Sequence, residues 1–317
     1  EAPKERWETC VSCQKRMKEE GLQNEHQLQS YFIKRVEKML QNHNKKMIGW
    51  DEILEGGLAE SATVMSWRGE NGGIEAANMG HNVVMTPGEF VYLDHYQGSS
   101  KVEPVAIGGY TTLEKTYSYN PIPKEIEQSK AHHVLGTQGN LWTEYMYSEN
   151  DMEYRAWPRL IALAEVGWTS TEKKNFNDFS IRMENQFPRL DYHQVNYHIP
   201  LPEGVPNSVA FIDSAKLAFS TTRPLAMYYT TDGSEPNLNS KKYADTLLFT
   251  STTILKISTA LKHGKMSPVR TINVEKQIPI SPVDIKTSKI IKFKLKEGEF
   301  YDINKILEVV QQYVNST

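Results

Sequence analysis

Apolar positions along the chain change their spacing twice, and each change marks a change of architecture. From Glu25 to Asn42 they recur at Leu28, Phe32, Val36 and Leu40, the spacing of one apolar stripe on a helix. Upstream, Pro3 at a first helical position and Gly21 after a Lys- and Glu-rich run bracket another helix. Short apolar runs follow: Lys46 to Asp51, Ala62 to Arg68, Asn82 to Thr86 continuing through Phe90 to Asp94, and Val134 to Glu144. Each has the length of a buried strand. Helical stretches at Gly73 to Gly80, at Asn150 to Trp168 with a restart at Pro158, and at Glu172 to Asn185 complete a parallel βαβ reading. Beyond Leu201 the pattern becomes short β-rich segments (Leu217–Ser220, Ala226–Thr230, Leu247–Thr250, Ile254–Thr259) separated by turns such as Thr231-Asp232-Gly233-Ser234, which predicts a compact antiparallel sandwich. From Pro279 a third stretch holds an expected strand, Ile290 to Leu295, and an expected helix, Ile303 to Val314.

Composition narrows the function classes. The 317 residues are 39% hydrophobic and 24% charged with a net charge of -3, which gives no electrostatic basis for binding nucleic acid or an anionic membrane. No apolar run approaches the about 20 residues of a membrane-spanning helix. Cys10 and Cys13 form a lone Cys-x-x-Cys without a second ligand pair, so they read as two thiols on a helix and no metal is expected.

Each strand-like run ends in an aromatic residue, a carboxylate, or both. Pyranose rings present apolar C–H faces and equatorial hydroxyls, so a sugar site needs flat aromatic walls beside carboxylate acceptors. Trp50, Trp67 and Trp142 are candidate walls, Asp94 and Glu144 candidate hydroxyl acceptors, and Tyr92 a phenolic donor.

Gly49-Trp50-Asp51-Glu52, Met65-Ser66-Trp67-Arg68-Gly69, Tyr92-Leu93-Asp94 and Gly139-Asn140-Leu141-Trp142-Thr143-Glu144 occur in that order. With Ala156-Trp157-Pro158-Arg159-Leu160 and Ala164-Glu165-Val166-Gly167-Trp168, they resemble the second half of the family 20 glycoside hydrolase catalytic barrel, over residues 1–190. The segment 205–274, with Tyr228-Tyr229-Thr230-Thr231-Asp232-Gly233-Ser234-Glu235-Pro236, resembles the small β-sandwich appended to chitobiases and hexosaminidases. The tandem tyrosines read as one core and one surface aromatic.

The resemblance implies an α/β chain. Residues 1–200 would be the C-terminal half of a (β/α)8 TIM barrel, 201–276 a β-sandwich, and 277–317 a short β/α tail. It implies a β-N-acetylhexosaminidase acting on N-acetylhexosamine-terminated glycans without metal or organic cofactor, in a periplasmic or extracellular setting. Glu1 resembles the last residue of the family's His-x-Gly-Gly-Asp-Glu signature, the general acid/base, with the next strand beginning at Lys46. Tyr92 would orient the substrate's acetamido oxygen, Trp50, Trp67 and Trp142 would enclose the sugar, and Asp94 and Glu144 would take the hydroxyls at positions 4 and 6; Tyr119 lies near a further aromatic position of the family. The signature Asp and the first barrel strands would lie upstream, so the expectation is a half site completed by another segment, a cleaved piece or a second copy, with little hydrolysis by the 317 residues alone. Two other classes fit the same residues: a non-catalytic glycan-binding protein, and a glycosidase of another family pairing Glu1 with Glu144.

Overall fold

The computed structural model describes residues 3–278; Glu1 and the elements expected within 279–317 lie outside the described residues. By its packing the chain falls into two units, Glu1–Lys276 and Gln277–Thr317, so the regions expected as 1–200 and 201–276 belong to one compact body.

The single helix expected after Pro3 is two, α1 (Lys4–Glu8) and α2 (Val11–Glu19), because Cys10 is extended and caps the second instead of continuing the first. Gly21, at φ 67°, ends α2 as expected. Its left-handed backbone lets the Leu22 amide reach the Met17 carbonyl at 2.8 Å, a Schellman closure. Helix α3 (Glu25–Asn42) is capped by Asn24, whose side chain accepts from the Gln27 amide. Its core face is Ile33, Val36 and Leu40, whereas Phe32 is 62% exposed. Leu28 of the same stripe is buried, and Phe32 shares the lining of a cavity with Leu28, Ile33 and Ile53.

Four strands follow, β1 (Ile48–Trp50), β2 (Thr63–Ser66), β3 (Val83–Met85) and β4 (Val134–Thr137), parallel and in sheet order β1-β2-β3-β4. The register Trp50↔Met65, Ser66↔Met85, Met85↔Thr137 brings all four C-terminal ends to one edge. Helix α4 (Asn71–Asn78) crosses from β2 to β3. The third run does not continue as a strand through Phe90 to Asp94. After Pro87 the chain turns into the short helix α5 (Gly88–Val91), and Tyr92 then makes an isolated parallel bridge to Asn140. Pro87 has no amide to extend a ladder, and the Gly88 amide instead caps the Trp67 carbonyl at 3.0 Å. Helix α6 (Leu113–Ser118) precedes β4; α7 (Glu149–Ala156) and α8 (Arg159–Trp168) flank Pro158; α9 (Phe176–Met183) and α10 (Phe187–Tyr192) complete the region. The core beneath the sheet includes Val64, Ala76, Ala77, Val83, Met85 and Val91.

The β-rich region has β5 (Ser208–Phe211), β6 (Ala215–Leu217), β7 (Ala226–Thr230), β8 (Lys241–Lys242), β9 (Leu247–Phe249), β10 (Thr253–Ala260) and β11 (Arg270–Lys276). They form a five-stranded sheet, β5-β11-β10-β7-β8, and a pair, β6-β9, around a common core that includes Leu217, Phe249, Leu255, Ile257 and Ile272. The expectation of purely antiparallel pairing is corrected by β5 and β11, which run parallel. These are the first and last strands of the region, and the intervening chain serves as the long crossover a parallel pair requires. Tyr229 packs on the core, and Tyr228, like it, is half-buried. Arg223 pairs with Glu184 at 2.9 Å, and the Thr259 hydroxyl donates to the Pro200 carbonyl at 2.6 Å, joining this region to the helices before it. Among the described residues no helix is long and apolar enough to cross a membrane.

Among the described residues Arg159 is the largest fully buried side chain. Its guanidinium donates to the carbonyls of Thr111 at 2.8 Å, of Arg155 at 2.6 Å, and of Leu93. Burial draws its pKa down to about 9, which leaves it charged at neutral pH. Replacing it by leucine strands three buried carbonyls, and Arg159→Leu is expected to cost about 3–5 kcal/mol, read as a lowered urea midpoint at unchanged slope.

Candidate active site

Because the four strands end at one edge, the residues just past those ends surround a single cavity of about 630 Å³. It is lined by Trp50, Trp67, Tyr92, Asp94, Trp142 and Glu144, all the wall, donor and acceptor candidates read from the sequence. Glu52, His95 and the stretch Ile107, Gly108 and Gly109 line it as well. Glu1 lies outside the described residues.

Two aromatic pairs shape the cavity. Trp50 and Trp142 meet at 5.8 Å with planes 49° apart, and Trp67 stacks on Tyr92 at 6.2 Å and 23°. Trp67 is held by charge as well as by packing. Its indole Nε1 donates to both Glu52 oxygens at 2.9 and 3.1 Å, and its backbone amide donates to Asp51 Oδ2 at 3.2 Å. The same Asp51 oxygen takes the Arg68 amide at 3.2 Å, while Arg68 Nε reaches Asp51 Oδ1 at 2.7 Å. The buried acids at the end of β1 thus fix the turn at the end of β2. Arg68 Nη1 goes on to Glu55 at 2.9 Å, and Glu55 also takes Lys4 Nζ at 2.6 Å. Lys4 first and Arg68 second hold that carboxyl down at about 2, against its partial burial.

Tyr92 and Asp94 owe their place to Asn140. The Asn140 amide donates to the Val91 carbonyl at 3.0 Å, the Leu93 amide donates to the Asn140 carbonyl at 2.7 Å, and the Asn140 side chain donates to the Thr86 hydroxyl. Tyr92 and Asp94 flank Leu93 in this extended stretch and both reach the cavity. Burial raises the Tyr92 phenol, with the Trp142 and Asn140 side chains pulling the other way. Asp94 is buried, and its Oδ1 makes no hydrogen bond. Burial lifts its pKa to about 6; Arg159 draws it down and Glu144 pushes it up. His95 tilts against Tyr92 at 5.6 Å, with Nδ1 3.0 Å from the Thr111 hydroxyl. Burial, then Arg159 and Lys115, lower its pKa, so the ring is neutral at physiological pH. Gly109 sits at φ 63°, and a Cβ there would lie 2.4 Å from the His95 ring. Only glycine permits this approach.

Tyr119 is corrected. It is fully buried, stacks on Phe90 at 5.0 Å and belongs to the core rather than the cavity wall. Glu52 was quoted within its motif but given no role, and His95, which directly follows a quoted motif residue, was missed; Gly108-Gly109 was a visible doublet inside an irregular loop. Cys10 and Cys13 are free thiols away from the cavity, and among the described residues no group of three or more His, Cys, Asp or Glu is gathered as a metal site.

The sequence model of the glycosyl hydrolase family 20 catalytic domain matches residues 1–171, and that of the chitobiase/beta-hexosaminidase C-terminal domain matches residues 206–271. A beta-hexosaminidase of Porphyromonas gingivalis is 54% identical over 321 residues, covering 100% of this chain and 41% of that protein. One of Vibrio furnissii is 36% identical over 170 residues, covering 53% of this chain and 28% of that protein. Among solved structures, the exo beta-N-acetylglucosaminidase of Vibrio harveyi in complex with N-acetylglucosamine is similar at TM-score 0.57 and 30% identity, over 63% of this chain and 32% of that one. The chain therefore spans about two fifths or less of the length of these relatives. With its catalytic-domain match covering more than half of the residues, the chain belongs to glycosyl hydrolase family 20.

Proposed function

We propose that the cavity binds the terminal N-acetylhexosamine of a β-linked glycan and serves its hydrolysis by a substrate-assisted, retaining mechanism. The observation that carries this reading is the convergence of Trp50, Trp67, Tyr92, Asp94, Trp142 and Glu144 on one cavity at the ends of four parallel strands. The names of the beta-hexosaminidase relatives support it.

In this reading the tryptophans enclose the ring and acetamido methyl, and the carboxylates of Asp94 and the exposed Glu144 accept sugar hydroxyls. The Tyr92 hydroxyl donates a hydrogen bond to the acetamido oxygen, which attacks the anomeric carbon as the glycosidic bond breaks. The leaving oxygen takes a proton from a general acid, the role assigned to Glu1, and that carboxylate then activates the water that opens the oxazolinium ring. Holding the acetamido oxygen on its target is an orientation effect, and the raised Tyr92 pKa keeps the phenol protonated for it.

The four-stranded sheet is read as half of a (β/α)8 barrel, followed by a β-sandwich. Among the described residues β1 and β4 each pair on one side only. Apolar cavities lie along both flanks, with Phe32 and Ile53 beside β1 and Leu135 and Trp168 beside β4. Unpaired edges with apolar surface beside them call for further βα units to cover them.

Tyr92→Phe in the intact enzyme is expected to lower kcat on a chromogenic N-acetyl-β-glucosaminide about 100-fold with little change in KM. An N-acetylglucosamine thiazoline should bind tightly; failure to bind would favour a two-carboxylate site. Asp94 accepts a sugar hydroxyl best as the carboxylate, so KM should rise as pH falls through about 6, and Asp94→Asn should remove that inflection. The same raised pKa makes the empty protein less stable as pH climbs from the unfolded value near about 4 to about 6. Thermal midpoints across that window should fall in the parent and stay flatter in Asp94→Asn. The 317-residue chain alone is expected to self-associate in light scattering and to leave the chromogenic glycoside uncleaved; an active, homogeneous monomer would overturn the half-barrel reading.

A further inference from the structure

A second cavity of about 620 Å³ is lined in part by sequence neighbours of residues that line the first. Pro104 and Val105 line the second, and Ile107 to Gly109 line the first; Tyr145 lines the second, and Glu144 the first. Since successive Cα atoms are about 3.8 Å apart, one loop and one peptide bond separate the two spaces. The far wall comes from the β-rich region through Lys265, Met266, Ser267 and Pro268.

The lining has carbohydrate-binding chemistry without being part of the site described above. Tyr145 and Tyr147 present ring surface to solvent, Tyr147 at 86% exposure. This exposed ring does not sit on a loose loop. The Tyr147 amide donates to Asp151 Oδ2 at 3.1 Å, and the neighbouring Ser148 caps α7 by accepting from the Asp151 amide at 3.2 Å. An aromatic face on a fixed backbone is a low-entropy platform for an apolar sugar face. Asn196, Asp151 and Lys265 add hydrogen-bonding groups to the same cavity. The loop between the cavities is equally firm, because buried Arg155 donates to the carbonyls of Pro104 at 2.8 Å and Val105 at 2.6 Å. Of the two cations in the lining, the Lys265 ammonium lies 2.5 Å from Asp191 and the guanidinium of buried Arg155 is turned to the Pro104 and Val105 carbonyls, so neither offers an exposed, unpaired charge to an acidic ligand.

We propose that this cavity is a second carbohydrate subsite, which receives the neutral sugar residues following a terminal residue held in the first cavity. The β-rich region is then part of the substrate-binding surface. This rests on the reading that the first cavity takes a terminal N-acetylhexosamine, and it makes the preferred substrate an extended oligosaccharide.

The test is equilibrium binding, by calorimetry on the intact enzyme, of N-acetylglucosamine and of a sulfur-linked β-trisaccharide of N-acetylglucosamine that resists cleavage. The expected result is tighter binding of the trisaccharide, a gain reduced about five- to tenfold in Tyr147→Ala and in Tyr145→Ala, with monosaccharide affinity unchanged. Tyr147 is so exposed that its removal leaves folding intact, which circular dichroism verifies. The subsite is overturned if the trisaccharide gains nothing over the monosaccharide, if the gain survives both substitutions, or if both ligands weaken together. If the monosaccharide fails to bind while a tyrosine-dependent trisaccharide affinity persists, the first-cavity reading fails and the second site stands.

Discussion

Arg159 brings a positive charge into the interior and satisfies it with backbone carbonyls from three separate stretches of chain. Carbonyls are left over where a segment is neither helix nor ladder, as at Leu93 and Thr111, and in the last turn of a helix, as at Arg155. Leu93 lies between two cavity residues, Thr111 anchors His95, and Arg155 sits in the last turn of α7. One guanidinium therefore spans loops that regular secondary structure could not join. It also lends its charge to the cavity, offsetting part of the burial that holds Asp94 above the ordinary aspartate range. Scaffold and site electrostatics depend on the same group.

A second constraint acts from the opposite side of the cavity. Asp51 and Glu52 are buried acids at the end of β1, and they are satisfied only by groups just past the end of β2. The tryptophan wall is thus positioned by directional bonds, and stacking on Tyr92 completes it. Flat apolar rings can slide over one another at small cost; a carboxylate bound to an indole N–H cannot. This accounts for a cavity that keeps its shape with an exposed acid, Glu144, on one margin and a half-exposed tryptophan, Trp142, beside it.

Much of this was legible in the sequence, for identifiable reasons. Strand ends announce themselves, because a short apolar run followed by Trp-Asp or Trp-Arg has a buried part and a polar stop; β1, β2 and the cavity residues came from that signal. The reading failed where local pattern and tertiary contact disagree. Phe90 to Asp94 is as apolar as a strand, yet Pro87 diverts the chain and Asn140 recaptures only Tyr92. Tyr119 fits an aromatic position yet is consumed by the core. Strand β11 begins with Arg270, a charged residue at a buried position, and is concealed from a hydrophobicity reading by the carbonyls of Pro202 and Val205 that satisfy it. Glu52 and His95 carry no periodic signature. Their place is set by partners fifteen or more positions away, Trp67 and Thr111.

The loop from Pro104 to Gly109 is gripped from inside by Arg155 through main-chain atoms alone, while Val105 and Ile107 point outward with 67% and 48% exposure. Its side chains are therefore uncoupled from its conformation. Substitutions at those two positions can recolour the partition between neighbouring spaces while the backbone keeps its course. Within a lineage, such a loop lets ligand preference drift without disturbing the framework.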